Sequence, residues 1–551
     1  MTFRSRKKTE ELKSKVVRVP EGLLEGVAFE TKEGYLCDVF LGVPYAKPPV
    51  GELRYQKPEP PNPWDGVKKC DKLPNRSIFK EMFWEKVLSV APQSEDCLYL
   101  NVFAPQIQEN KKYAVLFYIH CGGFMIDSAE RYTLGTVCRR LVSRDIIVVT
   151  CHYRLGYLGF LSTGDDVCPG NWGLWDQLEA LKWTHKNIAS FGGDPDNITI
   201  SGHSAGAASA DLISYSPVAS GLFKRKIVMG GNSHCHWAVQ KKSAVRDYCK
   251  KRAKKLGWKQ KANYGSQREE SLDLLAFFKR MPASKLGTTM FFSKTIPNEC
   301  RLPLAPVVDG DFFPTDLRHL RETQPHVPSI VGGGEHEALL FVAIYLLKGT
   351  EKEIQSVIQM LAKKKKVPRS VVQEVIDHVY GECPKSTKLR HHFYVDLISD
   401  IFGNYANYRF IKDQQERGIE CYAYSFDWQS KQLWGWLQHV VPFTGGTHTS
   451  DLTHLFDCNY MSAALNMNKT DKYVSKLTGE YFTNFIKFGS PNTSETKQPW
   501  EPVSKSDILP RVLSIKPEPE MKTTVYSERM RKFEEFIAPK DSYITTVTVN
   551  E

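Results

Sequence analysis

The chain has 551 residues, of which 41% are hydrophobic and 25% are charged. Both fractions are close to those of globular proteins, which excludes a disordered, collagen-like or low-complexity chain. The formal net charge of +12 is small for this length. It does not indicate nucleic-acid binding, so no nucleic-acid partner is predicted.

Both ends of the chain are predicted to lie outside the folded domain. Residues 1–21 are basic and lack the apolar core of a secretory signal peptide, so we expect a flexible segment. The domain is predicted at 22–537, and a tail without a retention signal at 538–551. The longest apolar stretch, residues 338–347, is half of the roughly 20 residues that span a bilayer. No membrane span is predicted, and the expected location is the cytoplasm.

Short β-rich segments alternate with helical patterns between residues 110 and 235, which is typical of parallel βαβ units. From Leu174 to Ile188, apolar or aromatic side chains recur at spacings of four and three, which predicts a helix between the second and third strands. The fold class is therefore α/β with a doubly wound sheet. Its strands are predicted at residues 114–119, 145–151, 198–201 and 226–229.

The segment from about residue 240 to 380 is rich in Lys and Glu and has weaker strand signals. No internal repeat and no Gly-, Ser- or Pro-rich linker divides the chain. We therefore predict one large domain, in which this segment is the main helical insertion.

Residues 202–206 read Gly-His-Ser-Ala-Gly and follow a short β-branched strand. A G-x-S-x-G sequence between a strand and a helix is typical of a nucleophile elbow, a tight turn that exposes the serine Oγ. In such a turn Ser204 is the candidate nucleophile, and the N–H of Ala205 points toward the developing oxyanion. Because Gly and Ser occur in many ordinary turns, the pentapeptide alone leaves the reaction open.

A second glycine-rich segment, His-Cys-Gly-Gly-Phe at residues 120–124, follows the first predicted strand. An elbow serine needs hydrogen-bond donors about 3 Å from the oxygen that becomes negative in the tetrahedral intermediate. The backbone N–H groups of this loop can supply them. Without the elbow downstream, a flexible turn would explain the loop as well.

A set of long motifs extends over the chain: FLGVPYAKPPVGELRY (40–55), EDCLYLNVFAP (95–105), the glycine-rich loop, YRLGYLGFLS (153–162), GNWGLWDQLEALKW (170–183) and FGGDPDNITISGHSAG (191–206). From about residue 22 to 537 the chain thereby resembles the type-B carboxylesterase and cholinesterase family of α/β-hydrolases. The resemblance implies a mostly parallel twisted sheet with helices on both faces and helical insertions that form a gorge. It also implies an esterase that acts on a small-molecule ester and needs no cofactor or metal.

The resemblance also implies a triad of Ser204, Glu337 and His448. The family's acid lies in a G-x-x-x-x-E pattern, matched by GGGEHE, and its base lies in G-x-x-H-x-x-[ED], matched by GGTHTSD. In these roles His448 takes the proton of Ser204, and Glu337 orients the imidazole. Glu335 and Asp451 lie in the same motifs and are the competing carboxylates.

The oxyanion loop departs from the family pattern at one position. Cys121 stands where the family has the first of three glycines, whereas the two expected donors, Gly122 and Gly123, are present. With Ala205 they complete the predicted oxyanion hole. We expect catalysis to survive, with a narrowed pocket.

Three further departures lie near the predicted site. Gly230 and Gly231 replace a Ser-Gly pair, so a hydroxyl that would orient the triad acid is missing. His203 stands where many members have Glu. The aromatic position with which cholinesterases bind a quaternary ammonium falls at Val87, three positions from Trp84. A preference for neutral esters follows.

Thirteen cysteines, an odd number without a C-x-x-C pair, favour reduced and mostly buried thiols. The resemblance matches Cys70 and Cys97 to the family's first disulfide, which makes them a possible disulfide. The next family disulfide has no counterpart, because its positions fall near Trp258 and Phe278. We expect Cys70 and Cys97 to be close in space but reduced.

The leading function is a serine esterase that hydrolyses neutral carboxylic esters through an acyl-enzyme. One alternative is an acyltransferase, in which an alcohol or amine outcompetes water at the same acyl-enzyme. The other is a non-catalytic interaction protein related to neuroligins, which typically lack triad residues. The sequence leaves the natural ester and the oligomeric state open.

Overall fold

The computed structural model describes residues 14–81, 86, 89–290, 296, 300–344, 347–439, 441–457, 467–523 and 528–537. The strands in these ranges are β1 (Val17–Val19), β2 (Gly22–Glu25), β3 (Val27–Glu30), β4 (Leu36–Pro44), β5 (Val67–Lys69), β6 (Tyr99–Pro105), β7 (Tyr113–Ile119), β8 (Ile146–Cys151), β9 (Gly193–His203), β10 (Arg225–Met229), β11 (Ser329–Gly334), β12 (Cys421–Phe426), β13 (Val512–Ile515) and β14 (Glu520–Lys522).

One mixed sheet contains eleven of the described strands, in the order β14-β13-β12-β11-β10-β9-β7-β8-β6-β4-β3. The seven strands from β13 to β8 in this order pair in parallel, and the outer neighbours pair antiparallel. Every residue of β7, β8 and β10 is buried, because parallel strands are covered on both faces. The predicted α/β fold with a mostly parallel sheet is confirmed.

All four strands predicted from the sequence are present in this sheet. The ends of β7, β8 and β10 differ from the predicted ends by one residue. The third predicted strand, at 198–201, is the buried core of the longer β9, which begins at Gly193. Its first residues, Gly-Asp-Pro-Asp-Asn, are polar and carry turn-forming side chains, so they gave no strand signal.

Helices surround the sheet, and α3 is the helix predicted between β8 and β9. Leu174, Leu178 and Leu181 of this helix are buried, and His185 is half-buried. The described helices are α1 (Leu134–Arg140), α2 (Gly156–Phe160), α3 (Trp172–Asn187), α4 (Ala205–Ser214), α5 (Lys242–Lys255), α6 (Gln267–Arg280), α7 (Leu317–Thr323), α8 (Leu339–Ala343), α9 (Glu351–Lys365), α10 (Arg369–Tyr380), α11 (Thr387–Ser399), α12 (Tyr405–Arg417), α13 (Lys431–Trp434), α14 (Ser450–Phe456), α15 (Lys469–Phe488) and α16 (Glu528–Ile537).

The segment at about 240–380, predicted as the main helical insertion, is not an insertion throughout. This segment contains α5 to α10, but it also contributes β11, which lies between β10 and β12 in the sheet. The sequence of β11 is SIVGGG, with two large apolar side chains followed by three glycines. A Cβ at Gly332 would lie 2.3 Å from the Tyr424 carbonyl oxygen. The glycines that weaken the strand signal are thus required by close backbone packing.

A small second sheet lies at the N-terminal side of the domain, in the order β1-β2-β5. Strand β1 pairs antiparallel with β2, and the Ser14 hydroxyl accepts a hydrogen bond from the Gly26 N–H at 2.8 Å. The domain start predicted at residue 22 therefore divides a β-hairpin. Residues 1–13 and the predicted tail at 538–551 lie outside the described residues.

The carboxyl ends of β7, β9 and β11 lie at the same edge of the sheet, because these strands are parallel. The glycine-rich loop follows β7, Ser204 follows β9, and Glu337 lies three residues after β11. In open α/β sheets, ligands bind at this edge. Within the part of the chain that the structure describes, no helix is both long and apolar enough to cross a membrane.

Candidate active site

Ser204 occupies a sharp turn between β9 and α4. Its backbone angles are φ 55° and ψ −121°, and its N–H donates to the Met229 carbonyl at 2.8 Å. This conformation is unfavourable for a residue with a Cβ, and such strain is typical of active sites. The geometry is that of a strand–turn–helix elbow with Ser204 at its apex.

The two glycines of the elbow are required by contacts with neighbouring backbone. A Cβ at Gly202 would lie 2.2 Å from the carbonyl carbon of Gly206. A Cβ at Gly206 would lie 2.1 Å from the carbonyl oxygen of Ile119 at the end of β7. Both distances are shorter than any van der Waals contact, so the close approach of β7, β9 and α4 depends on glycine at both positions.

His448 and Glu337 form a buried pair. The Nδ1 of His448 makes a short hydrogen bond with Glu337 Oε2. The second oxygen of Glu337 accepts the Gly334 N–H at 2.6 Å, and a Cβ at Gly333 would lie only 2.5 Å from it. Both carboxylate oxygens of Glu337 therefore have hydrogen-bond partners, although Gly230 supplies no hydroxyl to orient this side chain.

The two loops that carry this pair are joined by backbone hydrogen bonding. The His336 N–H donates to the Gly446 carbonyl at 2.9 Å, and residues 336 and 447 form an isolated parallel β-bridge. The hydroxyl of Thr447 accepts the Leu340 N–H at 2.8 Å. The segment after β11 and the segment before α14 are thus fixed beside one another, which brings together two side chains 111 residues apart.

The competing carboxylates have other partners. The side chain of Glu335 is 43% exposed, and its Oε2 lies 4.0 Å from the His336 ring. Asp451 is buried and accepts hydrogen bonds from the Tyr424 hydroxyl and the Leu452 N–H. Of the three carboxylates, Glu337 is the one bonded to His448.

The predicted oxyanion donors are backbone N–H groups near Ser204. Gly122 and Gly123 have φ values of 102° and 60°, which favour glycine. Ala205 is the first residue of α4, where backbone N–H groups have no partner within the helix. Among the described residues, the N–H groups of Gly122, Gly123 and Ala205 make no hydrogen bond to a protein acceptor. They are available to an external oxygen.

A cavity of about 120 Å³ lies beside Ser204 and the glycine-rich loop. Ser204, His448, Gly122 and Gly123 line it together. The rest of its wall is mostly apolar and comes from Ile126, Trp237, Met290, Ile296, Leu302, Leu340, Phe341, Ile344 and Phe402. Such a cavity suits an apolar ligand whose reactive group meets the polar end.

The structure also shows a group of polar side chains in the cavity wall that the sequence did not predict. Cys121 lines the cavity, and its thiol donates to Asp127 Oδ2 at 3.2 Å. Asp127 Oδ1 lies 2.6 Å from Arg131 Nε. Burial alone would raise the pKa of Asp127, but Arg131 and the surrounding donors hold that pKa below its usual value. An Asp and an Arg four residues apart were the available signal, although only the fold brings them to the cavity.

This leaves the predicted cysteine pair and the position that binds a quaternary ammonium in cholinesterases. Cys70 and Cys97 are free and buried, and burial raises the pKa of each thiol to about 12. The possible disulfide is therefore not formed in this structure. Val87 and Trp84 lie outside the described residues. No cluster of three or more His, Cys, Asp or Glu side chains in the described ranges is placed to hold a metal ion.

A model of the carboxylesterase family matches residues 13–533 of the chain. The chain belongs to the carboxylesterase family. It is by family a carboxylic-ester hydrolase with the α/β-hydrolase fold, as its motifs indicated, and the family's substrates are small-molecule esters.

Several esterases, lipases and other hydrolases are similar to this carboxylesterase over most of their length. Esterase cest-33 of Caenorhabditis elegans is 31% identical over 520 residues, which cover 92% of each chain. Bile salt-activated lipase of Bos taurus is 31% identical over 510 residues, or 88% of this chain and 81% of its own. Acylcarnitine hydrolase of Mus musculus is 29% identical over 89% of this chain and 85% of its own.

Proposed function

We propose that this carboxylesterase hydrolyses neutral carboxylic esters through an acyl-enzyme on Ser204. One observation carries the proposal: Ser204, His448 and the glycine-rich loop line one cavity, and Glu337 binds the far nitrogen of His448. In this account Ser204 is the nucleophile, His448 the general base and Glu337 the orienting acid. Gly122, Gly123 and Ala205 form the oxyanion hole.

The chemistry proceeds in two symmetrical halves. The Nε2 of His448 accepts the hydroxyl proton as Ser204 Oγ attacks the ester carbonyl, and the oxygen that becomes negative binds the three N–H groups. The tetrahedral intermediate collapses, the alcohol leaves with the proton from His448, and the acyl group stays on Ser204. A water molecule then repeats these steps and releases the carboxylic acid. Glu337 holds the imidazole in one orientation and stabilises its protonated form.

The preference for neutral esters rests on the lining of the cavity. Its apolar wall favours an apolar acyl or alcohol group, and the charges of Asp127 and Arg131 are paired with each other. His203 occupies the position before the nucleophile, where a carboxylate would attract a cation. We expect a higher kcat/KM for a neutral butyrate ester than for acetylcholine. The reverse order would contradict the preference.

A reducing compartment, the cytoplasm, is proposed as the place of action. The twelve described cysteines are all free, and eleven of them are buried. Buried free thiols in this number are typical of proteins that fold where disulfides do not form.

The direct kinetic test of the mechanism is Ser204→Ala. Loss of the nucleophile should lower kcat for a short-chain aryl ester by roughly 10⁴- to 10⁶-fold. Ser209→Ala is the matched control, because Ser209 is buried in the helix that follows the elbow and does not line the cavity. Turnover by Ser204→Ala at the wild-type rate would exclude the mechanism.

A further inference from the structure

A second imidazole lies directly beside His448. His203, the last residue of β9, is completely buried. Its ring centroid is 4.6 Å from that of His448, with 56° between the ring planes. The ring of Phe341 also contacts His448, at 5.1 Å between centroids. The His448 ring is therefore packed against two other rings and bonded to Glu337.

His203 is itself held by a carboxylate. Its Nε2 lies 3.3 Å from Asp451 Oδ1. The other oxygen of Asp451 accepts the Tyr424 hydroxyl at 2.5 Å, and Oδ1 also accepts the Leu452 N–H at 2.7 Å. Burial by itself would raise the pKa of Asp451, but His203 and Tyr424 hold that pKa below its usual value. The Asp451 carboxylate is thus ionised at neutral pH and lies within ion-pair distance of the His203 ring.

Gly230 provides the space for this arrangement. It follows β10 with φ at 61°, and its N–H donates to the Gly332 carbonyl at 2.7 Å. A Cβ at this position would lie 2.9 Å from His203 Nε2 and 3.3 Å from His448 Nδ1. A side chain at 230 would therefore push against both imidazoles. Gly230 and His203 both depart from the family pattern, and they lie against each other: the absence of a side chain at 230 leaves room for the His203 ring.

We propose that His203 is a positioning residue for His448, fixed by Asp451 and accommodated by Gly230. The hydrogen bond that His448 Nδ1–H donates to Glu337 fixes one nitrogen of the ring, but it does not by itself fix the tilt of the ring about that bond. The His203 ring, together with Phe341, restricts the tilt, so that Nε2 is kept in one position while Glu337 holds Nδ1. This inference rests on the proposed function, because it assigns His203 a role only through His448 as the base.

The first test compares His203→Ala with His203→Gln. His203→Ala should lower kcat by roughly 10- to 100-fold, by analogy with residues that orient a metal-binding histidine, with KM changed less than about twofold. In His203→Gln the amide N–H can still reach Asp451, so this variant should recover most of the lost kcat. His454→Ala is the control, because His454 is also fully buried but bonds to the Ser450 carbonyl. Its kcat should equal that of the wild type.

The second test measures coupling between positions 203 and 230. Gly230→Ser should lower kcat at least about tenfold in the wild type, because its side chain displaces both rings. In the His203→Ala background the same change should cost less than about threefold, because one of the two obstructed rings is gone. If Gly230→Ser lowers kcat by the same factor in the wild type and in the His203→Ala background, the two positions are not coupled and the inference is overturned.

The outcomes separate this inference from the proposed function. If Ser204→Ala is inactive while folded His203→Ala keeps the wild-type kcat, the mechanism stands and the positioning role is wrong. If Ser204→Ala is active, the proposed function itself fails. Should His203→Ala not fold, Asp451→Asn replaces it: a kcat loss of about tenfold with unchanged KM supports the role, and wild-type kcat overturns it.

Discussion

At the residue scale, the proposed acid is tested by two glutamates that differ in one contact. Glu337 bonds to His448, whereas Glu335 is partly exposed near His336. Replacing an orienting carboxylate by an amide favours the wrong imidazole tautomer, so Glu337→Gln should lower kcat at least about 10²-fold. Glu335→Gln should lower it less than about tenfold. Steady-state kinetics at equal melting temperature decide, and an inactive Glu335→Gln beside an active Glu337→Gln would contradict the assignment.

Individual site residues differ in how far their surroundings could be predicted from the sequence. Ser204 and Gly122 lie in local sequences whose backbone geometry depends on nearby glycines, so their surroundings could be inferred from the sequence. The contact between Glu337 and His448 required a family pattern, because 111 residues separate them. Asp127 was not predicted, since its place in the cavity depends on how one loop packs on another.

At the element scale, the elbow between β9 and α4 stores backbone strain at Ser204. Glycine tolerates this conformation, so Ser204→Gly should be more stable than Ser204→Ala by about 1 kcal/mol. At Ser209, inside α4, the order should be reversed by about 1 kcal/mol, because glycine is a poor helix former. Thermal or denaturant unfolding of the four variants measures both differences. The same order at both positions would contradict the strain at Ser204.

Secondary structure was predictable where a strand is a short apolar run. β7, β8 and β10 have this form, and their ends were predicted within one residue. β11 falls within the segment predicted as an insertion, and half of its residues are glycine. That composition reflects close packing against β12, which is a tertiary requirement and weakens the local strand signal.

At the scale of the whole molecule, the cysteines provide a test of the proposed compartment. Cells are treated with an alkylating reagent before lysis and are then lysed under denaturing conditions with the reagent still present. As two free thiols, Cys70 and Cys97 should both be alkylated. Cys383 is partly exposed and should react first in the native protein, which makes it the internal control. Peptide mapping gives the result. A quantitative bridge between Cys70 and Cys97 would contradict the expected reduced state.

The extent of the domain depended on long-range pairing. The hairpin of β1 and β2 is completed by β5, which lies more than 40 residues later. The first strand has only three residues, so the sequence alone gave no reason to include it, and the predicted start at residue 22 fell inside the hairpin. A family pattern that begins at residue 13 includes it.

The proposed mechanism depends on Ser204 being an activated nucleophile. This can be tested with a fluorophosphonate or organophosphate probe, which is incubated with the native protein and located by peptide mass spectrometry. We expect one stoichiometric adduct on Ser204, formed in step with the loss of esterase activity, and slow labelling in Glu337→Gln. Complete inactivation with the adduct on another residue, or full activity after Ser204 is labelled, would contradict this mechanism.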